Sequence, residues 1–71
     1  MDIVKNFLIK NGLKECGDNC YINELCSVMI LNNHYEVKNE EGSTIYSTDL
    51  NIYWLIGVLT YYNYIPKNYK Q

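Results

Sequence analysis

The sequence predicts a small single α+β domain, in which a helix, a three-stranded antiparallel meander and a second helix follow one another, with both helices on one face of the sheet. Apolar residues recur at helical spacing near both ends of the chain. Between these two segments lie two short sequences typical of hairpin turns, and each turn would place apolar residues opposite one another on adjacent strands. The 71 residues suffice for one hydrophobic core. We expect a compact domain over residues 1–66 and a polar, frayed tail over residues 67–71.

The first helix is predicted over residues 2–11. Asp2 suits the N-cap position, because its carboxylate can accept a hydrogen bond from the free amides of the first turn. The apolar residues of one face are Ile3, Val4, Phe7 and Leu8. Gly12 stands where a helix ends in left-handed backbone, and Leu13 would then contact Leu8 as in a Schellman motif. The helix is therefore expected to end at Gly12.

Two interpretations remain for the next part of the chain. Lys14 to Cys20 is predicted to be a loop that turns at Gly17-Asp18-Asn19. The apolar residues of 23–31 fit a helical face as well as a strand. The helical alternative, followed by a hairpin, would be winged-helix-like. We favour the strand, because it pairs consistently with the residues that follow it.

The meander is predicted from residue pairing across its first turn. The three strands are expected at residues 25–31, 34–39 and 43–47. A two-residue turn at Asn32-Asn33, where Asn tolerates positive φ, pairs Val28 with Val37 and Ile30 with Tyr35. These pairs form an apolar face. The other face is mixed and holds Ser27, Met29, Leu31, His34, Glu36 and Lys38.

The second turn extends the same pattern. Glu40-Glu41-Gly42 can form a three-residue loop with the glycine in left-handed backbone. It pairs Val37 with Ile45 on the apolar face and Glu36 with Tyr46 on the mixed face. The agreement between the two turns supports the three-stranded meander.

The last helix is predicted over residues 49–64, with Ser47 or Thr48 as its cap and Pro66 just beyond its end. Its broad apolar face holds Leu50, Trp54, Leu55, Val58, Leu59, Tyr61, Tyr62 and Ile65. Trp54 is at the centre of this arc. We therefore expect its indole to be buried against the sheet, near Val28 and Val37.

Apolar residues also occupy the opposite side of this helix, and a helix of that kind is normally covered on all sides. A domain of this size has too few residues to cover that side of the helix. We therefore expect a protein interface there, either with a second copy as a homodimer or with a foreign partner. The predicted interface residues on the helix are Tyr53, Ile56, Gly57, Thr60 and Tyr64. Those on the mixed sheet face are Met29, Leu31 and Tyr46.

Composition argues against several classes of function. The net charge is −2 and the pI is about 5.1, whereas nucleic-acid-binding domains usually carry a basic face. The most apolar stretch, residues 52–62, is too short to span a bilayer, and we expect the N-terminal residues not to be a signal peptide. With a single histidine and no arginine, the chain offers little for catalysis or a small-molecule substrate. We expect a soluble, cytoplasmic, non-enzymatic protein with reduced thiols.

The sequence contains a possible zinc ligand set, because three cysteines and one histidine are suitable ligand types. They are Cys16, Cys20, Cys26 and His34. Their spacing, C-x3-C-x5-C-x7-H, is not a reliable signature of a zinc-binding family. The predicted hairpin also separates Cys26 from His34 by roughly 17 Å, at about 3.3 Å per residue, on opposite faces. We therefore predict no metal and no cofactor. Cys26 is expected to be a buried thiol, and Cys16 and Cys20 are expected to be loop thiols that form no disulfide.

The composition carries one further hint. Ten Asn and eight Tyr occur with no Ala and no Arg, which is typical of an AT-rich genome. The small size, this composition and the helix–meander–helix plan resemble small phage-encoded or mobile-element proteins, some of which inhibit host defence proteins. The resemblance implies stoichiometric binding to a host protein in the host cytoplasm and identifies no site residue. The alternative is a small nucleic-acid-binding regulator of winged-helix-like form.

Overall fold

The computed structural model describes residues 2–71, which form a five-stranded antiparallel sheet and two helices. The elements are α1 (Ile3–Lys10), β1 (Lys14–Gly17), β2 (Cys20–Ile22), β3 (Cys26–Ile30), β4 (Tyr35–Asn39), β5 (Thr44–Tyr46) and α2 (Ile52–Tyr61). The strands lie side by side in chain order, so each is hydrogen-bonded to the strand before it. The outermost strands of the sheet are β1 and β5.

The predicted fold class is wrong about the sheet, which has five strands where three were expected. The segment predicted as a loop forms the β1–β2 hairpin, in which Glu15 lies opposite Tyr21. Asn19 takes left-handed backbone, with φ of 56°, at the turn. The register shifts between Glu15 and Gly17, so Cys16 is an extra residue in β1. Strands of three and four residues with a bulge contain too little alternation to be recognised in sequence.

The three C-terminal strands pair in the predicted register. Val28 lies opposite Val37, and Val37 lies opposite Ile45. Gly42 has the left-handed backbone expected of the second turn, with φ of 91°. The first turn is at the expected place, but neither Asn32 nor Asn33 is among the residues with positive φ. Because residues 26–30 are a strand, the helical, winged-helix-like alternative is wrong.

Both helices pack on the same face of the sheet. Phe7 and Leu8 of α1 and Leu55 and Leu59 of α2 belong to one buried cluster with the alternate residues of the strands. The other buried members of this cluster are Leu13, Tyr21, Cys26, Val28, Tyr35, Val37 and Ile65. The opposite side of the sheet, which we call the outer sheet face, is left without a helix.

The ends of α1 are as predicted. Asp2 Oδ1 accepts a hydrogen bond from the Lys5 amide at 3.0 Å, which caps the first turn. At the other end Gly12 has φ of 95°, and the Leu13 amide donates to the Leu8 carbonyl at 3.0 Å. These bonds form the Schellman motif that the position of Gly12 indicates.

The second helix is shorter than predicted and has a different cap. Asn51 accepts a hydrogen bond from the Tyr53 amide at 2.9 Å. Ser47, one of the two predicted caps, is buried, and its hydroxyl accepts from the Tyr35 amide at 2.7 Å. The helix ends before Asn63, whose φ is 60°, so asparagine has the role there that Gly12 has after α1.

The C-terminal tail is bound to α1, although the sequence predicts fraying. The Asn11 side chain accepts a hydrogen bond from the Lys70 amide at 2.8 Å and donates to the Lys70 carbonyl at 2.7 Å. Tyr69 packs edge-on against Phe7, with ring centroids 5.9 Å apart. The tail thereby covers part of the core next to α1.

Candidate functional site

The orientation of α2 leaves two tyrosines projecting into solvent. Leu55 and Leu59 face the sheet and are fully buried. Helical geometry therefore directs the positions two residues before and after them outward. Tyr53 is 79% exposed and Tyr61 is 76% exposed, with Gly57 between them. These are the most exposed large hydrophobic side chains of residues 2–71.

A shallow open groove of about 440 Å³ runs along this side of the helix. We call it the α2 surface and define it by its seven lining residues, none of which is charged. They are Ile45, Tyr53, Trp54, Gly57, Val58, Tyr61 and Tyr62. Ile45 belongs to β5, so the groove extends from the helix to the edge of the sheet. A Cβ added at Gly57 would meet nothing within 4 Å, so an incoming group can approach the helix backbone there.

The aromatic rings beside the groove are held by contacts with one another. Tyr61 and Tyr62 meet edge to face, with centroids 4.9 Å apart. Tyr62 stacks on Tyr64 at 5.6 Å and an interplanar angle of 20°. Such contacts restrict side-chain rotation before a partner arrives, which lowers the entropy lost on binding.

Trp54 is only partly buried, contrary to its predicted place at the centre of the core. Its indole packs on Tyr35, with centroids 6.4 Å apart, and also lines the α2 surface. The centre of the helix's buried face is formed by Leu55 and Leu59 instead. The helix is thus rotated about its axis from the predicted orientation.

The structure places the predicted helix residues in different environments. Tyr53 and Gly57 line the α2 surface. Ile56 and Tyr64 are partly buried against the core. The Thr60 hydroxyl donates to the Ile56 carbonyl at 2.8 Å, which is a local helix contact. Two of the five residues therefore contribute directly to the groove.

Five of the residues that line the groove were not predicted as interface residues, because the sequence pattern placed them on a buried helix face or in the meander core. They are Trp54, Val58, Tyr61, Tyr62 and Ile45. A helix with apolar residues on nearly all sides has no strong preferred direction, so its periodicity does not determine which side is buried. The one feature of the sequence that indicates the buried side of α2 is the pair Leu55 and Leu59. An i, i+4 aliphatic pair packs more closely than tyrosines, whose hydroxyls need water or a partner.

The remaining predicted interface residues lie away from this groove, on the outer sheet face. Met29 and Tyr46 are exposed there, and Leu31 is half-buried. His34 Nε2 lies 3.4 Å from Glu36 Oε2, so the face combines apolar with ionisable groups. The predicted interface therefore comprises two separate surfaces.

Two of the three cysteines differ from the prediction in their oxidation state. Cys16 and Cys20 form a disulfide, with Cα atoms 5.3 Å apart, so the expectation that this pair is reduced is wrong. Cys26 is free and buried as predicted, and burial raises the pKa of its thiol to about 11. Within residues 2–71, no group of three or more Cys, His, Asp or Glu side chains could hold a metal ion.

No family model, no curated protein and no solved structure matches the chain. Across the part of the chain that the structure describes, no helix has the length and apolar character required to cross a bilayer.

Proposed function

We propose that the protein is a non-enzymatic protein-binding module and that the α2 surface is where its partner docks. The observation that carries the proposal is the exposure of Tyr53 and Tyr61 on either side of a groove whose lining has no charge. Aromatic side chains are enriched and charged ones depleted at the centres of protein interfaces. An apolar patch of this kind on a small domain is typical of a binding site.

Tyrosine suits this role for a physical reason. Its ring provides a large, rigid contact area with only two side-chain torsions to immobilise, and its hydroxyl can bond to water or to a polar group at the rim. The rings of Tyr61 and Tyr62 already contact each other, which reduces the ordering needed on binding. The groove is open and shallow, so it fits a protein surface better than an enclosed small molecule.

A domain that binds in this way acts by covering its partner's surface. The finer proposal is stoichiometric inhibition of a host protein, as in the small phage-type proteins that the chain resembles in size and composition. The mechanism requires only occlusion, because a tightly bound domain excludes competing partners from the same area. The inhibited protein is not identified by any residue of this chain.

The expected cytoplasmic localisation is part of this proposal, and the Cys16–Cys20 disulfide bears on it. Disulfides persist mainly in oxidising compartments, whereas the cytoplasm keeps most thiols reduced. Thiol labelling of the protein from its source cells, denatured in urea so that buried Cys26 also reacts, before and after reduction, tests the localisation. Three labelled cysteines before reduction would support the cytoplasm, and a single labelled cysteine would support an oxidising compartment.

The binding proposal is tested by placing charge in the groove. The double variant Tyr53→Glu, Tyr61→Glu is expected to lose binding to itself or to proteins of the source cell, with an unchanged circular dichroism spectrum. Both side chains are largely exposed, so the fold should tolerate the change. Ile22→Glu is the matched control, because Ile22 is an exposed apolar residue outside the groove. Equal binding by the double variant and the control would contradict the proposal.

A further inference from the structure

The two edges of the sheet differ in how they are protected against pairing with another strand. Edge β1 contains the charged residues Lys14 and Glu15, a bulge at Cys16 and the Cys16–Cys20 disulfide. These are features that keep an edge strand from pairing. Edge β5 consists of Thr44, Ile45 and Tyr46, and it has no charge, no proline and an unbroken register with β4. It is therefore the edge that is open to another strand.

The hydrogen-bonding direction along β5 is set by its neighbours. The Asn39 amide donates to the Ser43 carbonyl at 3.0 Å, and the Ser47 amide donates to the Tyr35 carbonyl at 3.0 Å. Residues 43 and 47 therefore point their backbone groups toward β4. Because these directions alternate along an antiparallel strand, the N–H and C=O groups of Thr44 and Tyr46 point out of the sheet. The free edge presents two donors and two acceptors.

We propose that a second copy of the chain pairs antiparallel with β5, so that two sheets join into one of ten strands. The proposal rests on the proposed function, because it identifies the partner of the α2 surface as a second copy. In the register that uses all the outward groups, Thr44 of each copy lies opposite Tyr46 of the other, which makes four hydrogen bonds. Ile45 then lies opposite itself on the twofold axis.

The α2 surface supports this choice of partner. Ile45 lies on the core side of the sheet, opposite Val37, and it lines the groove beneath α2. A twofold axis at Ile45 therefore brings the grooves of the two copies together on the same side of the joined sheet. Tyr53, Tyr61 and Tyr62 are 79%, 76% and 46% exposed, so with about 200 Å² for a whole side chain they expose roughly 400 Å² together. That is about half of the roughly 800 Å² per partner of a standard interface.

The remaining contact area comes from Ile45, from the partly buried Trp54 and Val58, and from the strand backbone. Charges at the ends of β5 oppose the contact to a small extent. In the same register Glu41 of one copy approaches Asp49 of the other, and both residues are exposed. Added salt screens such a repulsion, so the dimer should strengthen as ionic strength rises.

The register is tested by cross-linking. Directly opposed residues of a non-hydrogen-bonded antiparallel pair have Cα atoms about 4.5 Å apart, which is within the range that a disulfide spans. Ile45→Cys is expected to form a covalent dimer in a glutathione redox buffer, detected by mass spectrometry without reduction. Thr44→Cys alone should form far less, because its opposite residue is Tyr46. Mixing Thr44→Cys with Tyr46→Cys should restore the cross-link.

The hydrogen bonds are tested by proline. Thr44→Pro removes an amide that points away from the sheet, so the monomer loses no strand hydrogen bond while the dimer loses one from each copy. Sedimentation equilibrium should then show dimerisation weakened about tenfold or more. Thr44→Val keeps the amide and is expected to dimerise like the wild-type chain. Circular dichroism should be the same for both variants.

The outcomes separate this inference from the proposed function. A wild-type chain that stays monomeric at high micromolar concentration, without an Ile45→Cys cross-link, overturns the second copy as the partner. The proposed function survives that result if Tyr53→Glu, Tyr61→Glu abolishes binding of a foreign protein. A dimer that is insensitive to Thr44→Pro overturns pairing through β5. A dimer that is also insensitive to the double tyrosine variant contradicts both.

Discussion

The indole of Trp54 stacks on the ring of Tyr35, with centroids 6.4 Å apart and planes inclined by 17°. Tyr35 is buried, and its hydroxyl donates to the Leu50 carbonyl at 3.0 Å, just before α2 begins. Trp54 therefore contacts the core on one side and lines the α2 surface on the other. The same side chain contributes to stability and to the candidate interface.

This position predicts a moderate cost for removing the indole. Trp54→Ala is expected to lower the free energy of unfolding by about 1–2 kcal/mol, since it loses one aromatic stack and a partial burial. Leu55→Ala, at a fully buried position, should cost about 3–5 kcal/mol because it leaves a cavity. Urea denaturation followed by circular dichroism measures both values. A larger cost for Trp54→Ala would place the indole at the centre of the core.

The two glycines Gly12 and Gly57 are expected to respond to alanine with opposite signs. Gly12 has φ of 95°, which an alanine adopts only with strain, so Gly12→Ala should destabilise the fold by about 1–2 kcal/mol. Gly57 lies within α2, and an added Cβ meets nothing within 4 Å. Gly57→Ala should therefore stabilise the helix by about 0.5–1 kcal/mol. Thermal denaturation at a concentration where the chain is monomeric distinguishes the two, and equal signs would contradict the assignment.

Burial of Cys26 predicts a loss of stability at alkaline pH. The pKa of its thiol rises from the ordinary value of 9.0 to about 11 because burial penalises the thiolate. Its contribution is fully present below about pH 9 and is lost as pH rises toward 11, because the unfolded chain releases a proton that the folded chain retains. Burial raises the pKa of Tyr21 and Tyr35 in the same direction.

The control for this prediction is Cys26→Ala, which lacks the thiol but keeps the buried tyrosines. Its stability should fall less steeply between about pH 9 and 11 than that of the wild-type chain, as measured by urea denaturation at each pH. Native Cys26 should also react slowly with iodoacetamide at neutral pH and rapidly in urea. Equal pH dependence in the two chains would show that the thiol does not contribute.

The Asn11 side chain is expected to hold the C-terminal tail. Asn11→Ala removes its two hydrogen bonds to the Lys70 backbone and one to the Phe7 carbonyl. We expect a loss of about 1–2 kcal/mol, because each such bond contributes about 0.5–1.5 kcal/mol and exposed ones contribute least. Hydrogen exchange of the Lys70 amide should accelerate. Asn68→Ala, in the same tail, is the control and should leave this exchange rate unchanged.

Several features could be predicted because each depends on a few neighbouring residues. The Asp2 cap, the Gly12 helix end and the left-handed Gly42 each require one residue type at one position. The pairing of Val28 with Val37 follows because a shift of one residue would expose the whole apolar face. Fewer of the residues of the candidate site could be predicted from the sequence. Tyr53 and Gly57 were identified, whereas Trp54, Val58, Tyr61, Tyr62 and Ile45 were not.

The sequence by itself determined the two helices, the three C-terminal strands and their register, since local geometry and side-chain alternation leave few alternatives. Only the tertiary structure decided the rotation of α2, because a helix with apolar residues on nearly every side is oriented by what it packs against. It also decided that Cys16 and Cys20 meet across a short hairpin and that Asn11 binds Lys70, 59 residues away. Contacts between distant residues leave no periodic pattern in the chain, so they appear only when the fold brings them together.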